Sequence, residues 1–138
     1  MERNYVQGHY YLGMTFLQQS KFKEATAEFE KARAIAPMFV YPISALGYAY
    51  AIAGRRMEAR QMLDELTELS KQEYVLPASK AIIYAGLGEK DNAFKWLEKG
   101  YDERSLGGGE TIKVDPVWDS LRSDPRFADL LRRMNLQP

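Results

Sequence analysis

His9 is the only histidine and the chain has no cysteine. A histidine without a second histidine or a thiol cannot complete the usual nucleophile–base constellations or thiolate metal sites, so His9 reads as a helix-packing side chain. Asp115, Asp119 and Asp124 form an acidic set that could attract a divalent ion. Their spacing, however, lacks the alternating oxygen ligands and the glycine of a calcium loop. Asp115-Pro116 and Asp124-Pro125 read instead as helix starts, with aspartate as the N-cap and proline just inside. The run Gly107 to Glu110, "GGGE", is glycine-rich but has neither the lysine nor the hydroxyl residue of a phosphate loop, and reads as a flexible connector. The pairs Arg55-Arg56 and Arg132-Arg133 are small and closely accompanied by acids, which suits solvated helix faces better than a nucleic-acid footprint. The expectation is a protein that is not an enzyme, with no catalytic residue, no metal ligand and no cofactor.

Charge and composition narrow the partners in the same direction. Nineteen basic residues balance 19 acidic ones, so nothing favours a phosphate backbone or an anionic membrane surface. No run is long and apolar enough for a membrane span, and the N-terminus has no signal-peptide pattern. The reading is a soluble, cytoplasmic chain whose 138 residues fit one domain with a real core.

The elements that would position a binding surface follow from an internal period. "SKFKEATAEFEKARAIAP", "GRRMEARQMLDEL" and "GEKDNAFKWLEKG" place alanines at 25, 59 and 93, a step of 34 residues. The same step relates Phe29, Leu63 and Leu97, then Phe16, Tyr50 and Tyr84, then Gly13, Gly47 and Ala81. Small residues on one stripe let helix backbones approach, while large ones fill the space beside them. The pattern predicts helices over 6–18, 21–36, 42–53, 56–71, 77–87 and 91–103. Gly54 and Gly88 would sit in the turns at positive φ, with Ser20 in the equivalent place. After a break over Leu106 to Val114, the stripe Phe127, Leu130, Leu131 and Met134 predicts an amphipathic helix that buries on the third repeat, with Trp118 adding apolar area.

These columns resemble the tetratricopeptide repeat, a 34-residue helix–turn–helix unit. The first copy matches at Leu12, Gly13, Phe16, Ala25, Phe29, Ala32 and Pro37. The third departs most, with Pro77 and Lys80 where apolar residues are usual. The resemblance implies an all-α fold of three tandem repeats, residues 6–39, 40–73 and 74–107, wound as a right-handed solenoid and followed by a loop and capping helices over 108–138. The end of the chain is also similar to repeat modules in large bacterial signalling proteins.

In such a fold the first helix of each repeat would line a groove. Its candidate lining includes Tyr10, Met14 and Leu17 from the first repeat, Tyr41, Ser44, Tyr48, Ala51 and Ile52 from the second, and Ile82 and Ala85 from the third. Met14, Tyr48 and Ile82 stand where carboxylate-clamping members carry asparagine, and the strip has no cation, so an apolar, tyrosine-rich surface for a protein or peptide partner is expected. The alternative is self-association into a homodimer or larger assembly through that groove or an exposed end.

Overall fold

The computed structural model describes residues 2–106 and 110–134, with side chains described from residue 5 in the first stretch and from residue 112 in the second. Gly107, Gly108 and Gly109, read above as a connector, lie outside the described residues. All regular structure among the described residues is helical: α1 (Glu2–Gln18), α2 (Phe22–Ile35), α3 (Val40–Ile52), α4 (Arg56–Leu69), α5 (Pro77–Leu87), α6 (Lys90–Asp102), α7 (Glu110–Val114), a 3₁₀ helix (Pro116–Leu121) and α8 (Pro125–Arg133). The chain divides into two compact units, residues 1–75 and 76–138.

The 34-residue period is written into the backbone of the turns. Ser20, Gly54 and Gly88 take φ of +60°, +84° and +77°. One residue later the N–H groups of Lys21, Arg55 and Glu89 donate to the carbonyls of Phe16, Tyr50 and Tyr84, at 2.9, 2.8 and 3.0 Å. This left-handed closure satisfies carbonyls that the end of a helix would otherwise leave unpaired. Serine, unlike glycine, takes that backbone conformation at a cost of roughly 1 kcal/mol. The end of α6 closes in the same manner, with Arg104 at φ +56° and the Ser105 N–H on the Gly100 carbonyl at 2.8 Å.

In the first unit, α1 pairs with α2 and α3 with α4, and α3 also packs on α2 and touches α1. Ala25, Phe29, Ala32, Leu46, Ala49, Ala59 and Leu66 are fully buried. Gly13 shows why one stripe alternates small with large: a Cβ there would stand 2.6 Å from a ring carbon of Phe29. Polar side chains stitch three helices together at the edge of this core. The Tyr50 hydroxyl donates to Glu30 Oε1 at 3.1 Å, and Arg33 bridges Glu30 and Glu65. Beside α1, the carboxylate of the buried Glu28 lies 3.4 Å from His9 Nδ1 and 3.1 Å from Lys31 Nζ, which gives the single histidine a structural partner.

In the second unit, α5 and α6 form the third hairpin, with the 3₁₀ helix on α5 and α8 on α6. Ala81, Ala85, Ala93, Phe94 and Leu97 share one core with Ile112, Trp118, Leu121, Phe127, Leu130 and Leu131. The amphipathic stripe expected of the last helix is therefore buried on the third hairpin, Met134 packing at its margin. Two arginines latch the outside of this contact. Arg126 pairs with Asp91 at 2.9 Å and Arg133 with Glu98 at 2.8 Å, and their guanidinium groups stack over Phe94 and Tyr101. Arg132 and Arg133 are both exposed, as a solvated face implies, and Arg133 in addition ties α8 to α6. The ion pairs lie seven residues apart on both helices, so α8 runs alongside α6 in a single register.

Asp115 and Asp124 act as the caps their sequence implies, accepting from the N–H groups of Val117 and Arg126 at 3.0 and 2.9 Å. One expectation needs correction. The stretch from Leu106 to Val114 was read as an interruption, yet Glu110–Val114 is helical. Leu106 itself folds back against Gly100, where a Cβ would stand 2.6 Å from its side chain.

Candidate functional site

The residues expected to line a groove fall in both units and are described unit by unit. On α1, Tyr10, Met14 and Leu17 share a face at i, i+4 and i+7 spacing and are all half-buried. On α3, Tyr41 is 52% exposed, while Tyr48 and Ile52 are half-buried. The fold brings the two sets together through their rings. Tyr10 lies 6.3 Å from Tyr41, 5.6 Å from Tyr11 and 6.0 Å from the buried Phe29, and Tyr41 lies 5.5 Å from Phe39. These centroid separations and tilted or edge-on geometries are those in which aromatic pairs attract. The outcome is an aromatic surface anchored on Phe29, with Tyr11 and Tyr41 more than half exposed. Phe39 and Tyr11 belong to it but were absent from the expected lining, because they sit outside the helix face that the period defines.

Three expected groove positions do not face outward. Ser44, Ala51 and Ala85 are 5%, 7% and 3% exposed. Ser44 and Ala51 belong to α3, which is buried around nearly its whole circumference. The backbone of Ala85 is covered by the tail, whose Ser120 hydroxyl donates to its carbonyl at 3.3 Å. Ile82, in the same unit, packs half-buried against the core that contains Trp118 and Leu121. In this unit the stripe on α5 meets the chain's own tail.

Electrostatics single out two further side chains. Burial, reinforced by the Glu30 carboxylate, raises the pKa of Tyr50, whose ring also carries the Arg55 guanidinium at 4.6 Å. Burial, then the neighbouring Lys99 ammonium, lowers the pKa of Lys80. A cleft of about 290 Å³ lined by Pro37, Ile43, Asp64, Glu65, Glu68 and Leu69 has an acidic rim. Two of its acids are paired, Glu65 with Arg33 and Glu68 with Lys71. The aspartates considered for metal are two helix caps and, in Asp119, an ion pair with Arg122 at 2.8 Å. Among the described residues no cluster of three or more histidine or acidic side chains could hold a metal ion, and no helix is long and apolar enough to cross a membrane. No protein-family model, curated protein or solved structure matches the chain.

Proposed function

We propose that the chain is a non-enzymatic adaptor, a tetratricopeptide-type helical repeat that binds a peptide segment of a partner protein on the aromatic surface of its first unit. The observation that carries this reading is the ring cluster of Tyr10, Tyr11, Phe39 and Tyr41, anchored on Phe29 and open to solvent at Tyr11 and Tyr41. Half-exposed tyrosines on a rigid base offer large contact area with little side-chain entropy to lose, which suits them to act as anchors for apolar or aromatic residues of a ligand. The recurrence of one turn geometry at 34-residue steps supports the repeat assignment. A cytoplasmic place, and a role beside the signalling modules of bacterial regulators, fit the same reading.

The test is a peptide-array screen followed by titration of the best ligand. Tyr41→Ala should weaken binding by about 1–3 kcal/mol while leaving the helical fold intact, since half of this side chain is already in water. Because apolar contact would supply the affinity, binding should persist at high salt, where the Debye length is about 3 Å. A best ligand that is strongly acidic, salt-sensitive and indifferent to Tyr41→Ala refutes the assignment. Self-association is a second reading, favoured by Tyr5, Tyr11 and Leu12, which are 58%, 65% and 43% exposed on α1. Light-scattering mass over a concentration series separates the two.

A further inference from the structure

Lys80 occupies the column that holds Leu12 and Leu46 in the earlier repeats, and it is only 8% exposed. Its ammonium lies 4.4 Å from the centroid of the Trp96 ring. A second ammonium, that of Lys99, lies 5.0 Å from the same centroid. Trp96 and Lys99 are one turn apart on α6, and Lys80 reaches them from α5. Among the described residues no carboxylate comes within 4 Å of either lysine nitrogen, although acids elsewhere in the second unit pair readily with Arg122, Arg126 and Arg133.

A buried ammonium is stable only when counter-charge or hydrogen-bond acceptors replace its water. Here the fold supplies an indole face, whose quadrupole attracts one cation, and then sets a second cation beside it. The neighbour makes the first charge less favourable, in keeping with the lowered pKa of Lys80. The stem of Lys80 is covered, whereas Trp96 is half-buried and Lys99 exposed, so the indole and the second ammonium are open to water. Two positive charges, each within 5.0 Å of the centroid of one half-buried indole, complement a ligand with two negative charges.

We propose that Lys80, Lys99 and Trp96 form a binding site for a dianionic phosphate group, carried either by the free ion or by a phosphorylated side chain. A monoanionic carboxylate would match one ammonium and leave the other uncompensated. A phosphate dianion presents acceptor oxygens to both. The site lies in the second unit and is independent of the aromatic surface assigned to peptide binding.

The experiment titrates the intact protein at constant ionic strength with inorganic phosphate, O-phosphoserine and acetate, reading tryptophan fluorescence and the shift in thermal midpoint. A saturable response to phosphate or phosphoserine, with acetate much weaker, is expected. Tighter binding of phosphoserine assigns the group to a modified protein, and equal or tighter binding of phosphate assigns it to the free ion. Lys80→Met and Lys99→Met should each raise the dissociation constant by about tenfold or more, whereas Lys95→Met, an exposed change on the same helix, should not. Lys99 is exposed, so Lys99→Met decides the matter if Lys80→Met perturbs the fold. No saturable response to either phosphate ligand, an equal response to acetate, or affinity unchanged by Lys99→Met would overturn the proposal.

Discussion

Replacing Gly13 by alanine sets two effects of similar size against each other. In a helix interior the change removes backbone freedom from the unfolded chain and improves helix propensity, a gain of about 1 kcal/mol. The added methyl would stand 2.6, 2.7 and 3.0 Å from three ring carbons of Phe29, well inside the normal carbon–carbon separation of about 3.5–4.0 Å. Phe29 is 0% exposed and packed in the core, so its ring cannot swing away without displacing other side chains, and overpacking of this kind costs about 1–3 kcal/mol. The net expectation is destabilisation by about 1 kcal/mol. Gly8 supplies the control on the same helix: a Cβ there meets nothing within 4 Å, so Gly8→Ala keeps the propensity gain and should stabilise by about 0.5–1 kcal/mol. Urea unfolding followed by far-UV circular dichroism measures both, since the two tryptophans lie in the other unit. Phe29→Leu should relieve the clash, giving a coupling of at least about 0.5 kcal/mol in the double-mutant cycle with Gly13→Ala. If Gly13→Ala raises the midpoint as Gly8→Ala does, the close approach of α1 and α2 is not what holds that position small.

In the second unit, Leu130→Ala removes a fully buried side chain from the core shared with Trp118 and should cost about 2–5 kcal/mol, read as an earlier urea transition by tryptophan fluorescence. Asp124 is held at about 2, below its ordinary 3.8, by the Arg126 side chain and then by the Arg126 N–H. Its contribution is therefore present above its unfolded value and lost as pH falls through about 2. Asp124→Asn, which can still cap α8, should flatten that part of the acid-unfolding profile. Lys80 has a folded pKa below its unfolded one, so its cost is full at neutral pH and is relieved as pH rises toward the ordinary lysine value. Lys80→Met should raise the urea midpoint at pH 7 and abolish this alkaline gain. The comparison must be made against the parent protein, because Tyr50, with a raised pKa, loses stability over the alkaline range.

The hairpins were legible in the sequence because their signals are local and repeated. Gly54 and Gly88 mark turns by their freedom at positive φ, and the 34-residue step located Ser20 as their equivalent although serine carries no such freedom. The two Asp-Pro starts were legible for the same reason, since cap and proline are adjacent in the chain. What escaped was whatever depends on several helices at once. Ser44 and Ala51 lie on the expected face of α3, but that helix is enclosed on nearly every side, and a helix buried all round has no polar face for periodicity to contrast. The five residues of α7 are too few to show a period. Lys80 appeared only as a departure from its column. That it shares the Trp96 ring with Lys99 is a property of α5 packed on α6, which spacing along one helix cannot express.

The tail's place in the second core gives the chain a distinct history at the ribosome. Each hairpin is joined by a turn of two or three residues, so its loop closes with little entropy lost and on a microsecond scale. The first two hairpins can therefore mature while the rest is still being translated. The third cannot complete its core in that order: Ala81, Phe94 and Leu97 wait for Trp118, Leu121, Phe127, Leu130 and Leu131, which are translated after the hairpin itself. During that interval the nascent chain carries an apolar helix pair without its cover, and this is where a ribosome-associated chaperone would be retained longest and where a premature stop would leave a product prone to aggregate.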